Sequence, residues 1–176
     1  MKKPNLKEIA LFPLYGAIMF LTAQIDIIPN VHPLAMFISV FTLIYRKKAL
    51  FPIYIYALLD GIFNGFGVWW LSNLYIWLPV AFAVSCLPLD LTPKKLTLRL
   101  SLICACHGLL FGVLYSPVYY LFVFGHNLSA ALTWVLNGLP FDIIHACGNF
   151  VIAFCAVPLI TLICKLDKHP LPYKNE

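Results

Sequence analysis

All twelve lysines and arginines of this chain fall in four short segments, and long apolar runs separate those segments. Lys2, Lys3 and Lys7 precede or open the first run. Arg46, Lys47 and Lys48 follow the second, Lys94, Lys95 and Arg99 the fourth, and Lys165, Lys168 and Lys174 the last. The runs cover residues 9–25, 34–45, 49–63, 74–87, 100–124 and 141–164. If each crosses a bilayer as a helix, the four basic segments emerge on one face. Basic residues are retained on the cytoplasmic side of membranes, so that face is the cytoplasmic one. One span more or fewer would scatter the basic residues over both sides. The expected fold is an all-α integral membrane protein of six transmembrane helices, with both termini cytoplasmic and residues 1–176 forming a single domain. Residues 130–136 are apolar but too few to span, and predict one partial or re-entrant outer segment before the last helix.

Composition agrees. The chain is 62% hydrophobic and 11% charged, with a mean hydropathy of +0.89, against roughly 45–50% and about 25% in ordinary soluble domains. At about 20 residues per span, 176 residues allow about six spans and short loops. The net charge of +5 does not point to nucleic acid, because the basic residues punctuate apolar runs and form no stripe. The partner they imply is a lipid bilayer. Met1-Lys2-Lys3-Pro4 places charge ahead of an apolar run, as a signal peptide does. No small-residue cleavage site and polar mature chain follow, so a retained first helix is expected. Cys86, Cys104, Cys106, Cys147, Cys155 and Cys164 lie in apolar stretches and read as small buried hydrophobes. The Cys104-Ala105-Cys106-His107 stretch lacks a recognised ligand spacing, so no metal site is expected.

The polar residues within the apolar zone are the informative ones, since ionisable groups there are costly and face a cavity or each other. Asp60 lies 12 residues beyond Lys48, which puts it roughly 18 Å up a helix, past the middle of a core about 30 Å thick. Asn64 shares its face at i+4, and Gly61 and Gly65 form a small pair that favours close helix approach. Asp142, His145 and Asn149 are spaced i, i+3 and i+7, on one face of the outer half of the last helix. Pro140 is suited to that helix's start, and Asp142 to its first turn. Two readings stand: an outward-open substrate pocket lined by Asp60, Asn64, Asp142, His145 and Asn149, or an Asp142 that caps its own helix while His145 and Asn149 bond neighbouring backbone. Trp69, Trp70, Trp77 and Trp134 all fall in the outer half. They read either as an aromatic belt at headgroup level or as a stacking wall for a planar ligand, for which Trp69 and Trp70 are best placed.

Catalysis has little to stand on. There is no Gly-x-Ser-x-Gly elbow and no His-Glu-x-x-His pair, and no nucleophile stands beside Asp142 and His145, with only Ser72 and Ser129 near in the outer half. There is no phosphate loop either, so uphill uptake would draw on a partner or an ion gradient. No catalytic residue and no cofactor is expected.

Six short spans, both termini inside and no ATPase resemble the substrate-binding S component of energy-coupling factor (ECF) transporters. Two stretches carry the likeness: Ile28-Pro29-Asn30-Val31-His32-Pro33 between the first two spans, and Gly138-Leu139-Pro140-Phe141-Asp142-Ile143-Ile144-His145-Ala146-Cys147-Gly148-Asn149-Phe150 entering the last. The resemblance implies a bacterial plasma-membrane protein that captures a vitamin or related micronutrient from outside. It implies as partners a transmembrane coupling protein and two ATPase subunits. The Ala-x-x-x-Ala face typical of the first helix in that family is not intact here; Ala10, Gly16, Ala17 and Ala23 stand in its place. An outer pocket with Asp and His but no Lys or Arg disfavours folate, biotin, pantothenate and phosphorylated ligands. It favours a neutral or cationic planar heterocycle, with carboxylates accepting N–H bonds. The competing readings are a stand-alone small secondary transporter or channel, whose inverted repeat is not visible between residues 1–88 and 89–176, an intramembrane enzyme, and an accessory membrane subunit without a ligand.

Overall fold

The computed structural model describes residues 5–25 and 31–174. Asp26, the Ile28-Pro29-Asn30 part of the first turn, Lys2, Lys3 and Glu176 lie outside the described residues. Within them the chain forms α-helices and two short 3-10 turns, with no strand. The α-helices are α1 Leu6–Ala23, α2 Leu34–Tyr45, α3 Leu50–Asn64, α4 Val68–Asn73, α5 Leu78–Ser85, α6 Pro93–Leu109, α7 Phe111–Phe122, α8 Leu128–Ile152 and α9 Ala156–Asp167. Among the described residues four helical stretches are long and apolar enough to cross a membrane: Leu6–Ala23, Val68–Ser85, Pro93–Phe122 and Leu128–Asp167.

Helix α2 is the centre of the bundle. It is apolar nearly all round, as suits a helix enclosed by its neighbours or by lipid. Every residue of it but Phe37 is buried. Ser39, its polar interior residue beside Thr42, donates to the Ala35 carbonyl at 2.8 Å and touches Cys104 Sγ at 3.5 Å. Around α2, glycines set how closely the outer helices approach each other. A Cβ on Gly16 of α1 would meet Ile55 Cγ2 of α3 at 2.5 Å, and one on Gly108 of α6 would meet the Ala146 backbone N of α8 at 2.8 Å.

One end of the bundle collects the basic segments. Lys7 at the start of α1 pairs with Asp167 at the end of α9 at 2.9 Å. Lys48, in the turn between α2 and α3, pairs with Glu8 at 2.6 Å. Arg46 donates to the Ser85 carbonyl at the end of α5 at 3.0 Å, and the Lys174 N–H donates to the Leu91 carbonyl at 3.0 Å. Tyr45 adds a 2.6 Å bond to Asp167.

Several expectations need correction. Residues 130–136 are no separate partial helix: Asn127 caps α8 by accepting from the Ala130 N–H at 3.0 Å, and the helix runs on through Pro140. A proline removes one backbone donor, and membrane helices tolerate that where neighbours compensate. The break before α8 is at Gly125 and His126, just past the end of the fifth apolar run, where the φ angles are 55° and 65°. The Gly61–Gly65 pair is not a helix–helix seam. The Phe66 and Trp70 rings fold onto Gly61, and Gly65 ends α3 at φ 93°. Only Cys104 and Cys164 are buried cysteines; the other four face outward from the bundle.

Candidate functional site

Away from the basic end, the helices part to leave an open cavity of about 750 Å³. That is within the roughly 300–1,000 Å³ common for small-molecule sites. Gln24, His32 and Asn137 are among its polar lining residues, and its carboxylates and best-buried imidazole are Asp60, Asp142 and His145. Asp60 sits one turn before the end of α3, 7% exposed. Its Oδ1 accepts from Asn64 Nδ2 at 2.8 Å, and its Oδ2 accepts from Asn73 Nδ2 of α4 at 2.7 Å. Asp142, on α8, accepts the Gly112 backbone N–H through Oδ2 at 3.1 Å. Gly112 is in the first turn of α7, where helix N–H groups lack intrahelical partners. Asp142 therefore caps a neighbouring helix, not its own. His145, one turn further along α8, is 4% exposed, and its Nδ1 has no hydrogen-bond partner among the described residues.

Aromatic rings make the walls. Tyr56 stands one turn before Asp60 on the same face of α3 and meets Trp77 edge-on at 5.9 Å. Phe111, Tyr115 and Tyr119 recur every four residues along α7, so they form one stripe towards the cavity. Phe111 meets His145 at 4.7 Å, and Tyr119 stacks on Trp134 of α8 at 4.9 Å and 17°. Beneath this wall His107 is held by a 2.9 Å bond to the Ile76 carbonyl and lies 5.4 Å from Trp77.

The structure brings four of the seven expected residues to one cavity: Asp60, Asn64, Asp142 and His145. The other three do not line it. Asn149 lies one turn past His145, where its Nδ2 ties α8 to the Cys104 carbonyl of α6 at 3.3 Å. Trp70 donates to the Ala57 carbonyl at 2.6 Å and packs against Phe66, while Trp69 covers Gly67. The residues that sequence reasoning missed include Gln24, His32, Asn73, Asn137 and the rings of Tyr56, Phe111, Tyr115 and Tyr119, with Trp77 and Trp134 as wall members in place of Trp69 and Trp70. The four-residue repeat along α7 and the spacing of Tyr56 from Asp60 were signals that could have found the tyrosines. Asn73 had no such signal, because its approach depends on the turn at residues 65–67.

Among the described residues no Lys or Arg lines the cavity, and no Ser, Thr or Cys. Ser72 and Ser129 stand outside it. Among the described residues no three His, Cys, Asp or Glu side chains converge as a metal site would require. What the arrangement offers is two carboxylates with unused acceptor capacity, set among stacked rings. No protein-family model, curated protein or solved structure matches this chain.

Proposed function

We propose that the chain is the substrate-capture subunit of an ECF-type importer in a bacterial plasma membrane. In this reading it spans the membrane six times with both termini cytoplasmic. The cavity opens to the outside and takes a neutral or cationic, planar, vitamin-like micronutrient. A transmembrane coupling protein and two ATPase subunits then drive its uptake. The assignment to this class rests on the likeness of the two sequence stretches. The ligand class rests on one observation: a cavity of small-molecule size whose acidic side chains face no lysine or arginine among the described residues and whose walls are aromatic rings. A cation gains from both the carboxylates and the ring faces, whereas an anion would be repelled. The gathering of the basic segments at the opposite end supports the orientation.

The test is mass spectrometry of small molecules released from the detergent-purified chain, beside an Asp142→Ala control. The expected result is one heterocyclic compound, without net negative charge, present in the wild type and lost in the variant. Release of an anionic vitamin would overturn the ligand class. No enriched compound after growth in rich medium would favour a channel or a ligand-free accessory subunit.

A further inference from the structure

A second hollow, of about 220 Å³, lies at the basic end between α2, the 46–49 turn, α3 and α5. Its walls are apolar: Leu50, Leu78, Ala81 and Phe82. Phe82 is 73% exposed on the outer face of the bundle. Its mouth holds Arg46 and Lys47, both exposed. Among the described residues neither has a carboxylate partner, although adjacent Lys48 is paired with Glu8. Arg46 is set in place by a positive φ of 52° and by the bond from its guanidinium to the Ser85 carbonyl. That bond uses one of the five N–H donors an arginine carries. One helical turn away, Thr42 lines the same hollow. It is 1% exposed, and its hydroxyl has no hydrogen-bond partner among the described residues.

We propose that this hollow is a binding site for an anionic phospholipid of the leaflet on the basic side. The phosphate is held by Arg46 and Lys47, and an acyl chain lies along Leu50, Leu78, Ala81 and Phe82. Charge complementarity selects an anion, and a basic hollow between membrane helices is a recurrent setting for anionic headgroups. The apolar channel that leads away from the two cations suits a lipid better than a free phosphate, which would leave it uncovered. Thr42 is four residues from Arg46, or about 6 Å deeper along the helix. The ester carbonyls of a glycerolipid lie at such a depth below its phosphate, and the Thr42 hydroxyl is a donor for one of them. The inference needs only that the chain spans a membrane, so it stands or falls apart from the importer reading.

The test is native mass spectrometry of the full chain taken from bilayers of equal phosphatidylglycerol and phosphatidylcholine. The expected result is retained phosphatidylglycerol in preference to phosphatidylcholine by on the order of tenfold. The Arg46→Gln/Lys47→Gln variant should bring the two lipids to parity, while Lys94→Gln/Lys95→Gln, which removes two cations elsewhere, should keep the preference. Ala81→Phe fills the channel without changing charge and should lower retention too. Phe82→Ala, on the exposed lip, gives a second reading of the channel if Ala81→Phe does not yield folded protein. Equal retention of both lipids by the wild type would overturn the proposal. So would a preference that survives the Arg46/Lys47 change, or displacement of the lipid by millimolar inorganic phosphate.

Discussion

Replacing Asp60 with alanine tests whether its carboxylate is a structural junction as well as a wall of the cavity. The carboxylate accepts from Asn64 at 2.8 Å and from Asn73 at 2.7 Å, so it ties α3 to α4 across the turn at residues 65–67. Asn64 is exposed, and solvent can replace its lost partner. Asn73 is 3% exposed, and its amide would be left buried without an acceptor. Such a loss costs about 1–3 kcal/mol, near the upper end when the acceptor was a charged group. Asp60→Ala should therefore cost about 2–3 kcal/mol. Asn73→Ala should cost less, about 1–2 kcal/mol, because Asp60 keeps Asn64 and faces an open cavity. With Asp60 already absent, removing Asn73 as well takes away the orphaned amide. The double variant should then cost little more than Asp60→Ala alone, a coupling of about 1–2 kcal/mol. The assay is SDS-driven unfolding in mixed micelles, followed by tryptophan fluorescence, for the wild type, both single variants and the pair. Strictly additive costs would refute the argument, since they would mean that the two side chains do not depend on each other.

Three more outcomes are expected. Gly108→Ala forces a Cβ to within 2.8–2.9 Å of the His145–Ala146 backbone, which cannot rotate away; it should cost about 1–3 kcal/mol in the same unfolding assay, whereas Gly138→Ala, with nothing within 4 Å, should be neutral or slightly stabilising. Gly112→Ala brings its Cβ to 2.7 Å from Asp142 Oδ2, the free end of a side chain; the carboxylate should swing aside, so the protein folds but, on the proposed reading, holds the compound released in the mass-spectrometry test on the order of tenfold more weakly in a competition assay. Tyr45→Phe, which removes a 2.6 Å bond to Asp167 from a residue 6% exposed, should lower stability by about 1 kcal/mol, and Lys7→Gln by less, because the Lys7 side chain is 54% exposed and such pairs contribute little.

What the sequence made legible follows from how local each feature is. The short run at residues 34–45 was legible as an apolar helix, but that it is enclosed by the other helices and not by lipid follows only from the packing. The i, i+3 spacing of Asp142 and His145 put both on one face of α8, and the structure has both lining the cavity. Asn149 obeys the same periodicity yet misses the cavity, because the close crossing of α8 with α6 at Gly108 and Ala146 places it against the Cys104 carbonyl instead. Trp69 and Trp70 were expected in the site as a stacking wall because they fall in the outer half of the chain's spans. The space above Gly61 decides their fate: with no side chain there, Phe66 and Trp70 fold back, and the indole N–H reaches Ala57. That space is a property of three elements at once, which no periodicity reports. The expected helix start at Pro140 failed for a related reason. Asn127 supplies a better cap earlier, and Asp142, read as a candidate cap for its own helix, satisfies α7.

The two Asp–donor arrangements bear directly on what the cavity can accept. An ionised carboxylate has room for about four hydrogen bonds. Asp60 receives two and Asp142 receives one, all from neutral amide groups. These bonds fix the orientation of the oxygens without neutralising them, and among the described residues no lysine or arginine lines the cavity to do so. At the opposite end Glu8 and Asp167 are each paired with a lysine. The same chain thus pairs Glu8 and Asp167 with lysines where it closes the bundle, and leaves Asp60 and Asp142 oriented but without a lysine or arginine among the described residues where it opens a cavity. In a low-dielectric setting such a pair of acceptors is costly to keep without an occupant. An occupant with several N–H donors or a positive charge on a flat ring system offsets that cost and meets the aromatic walls at the same time.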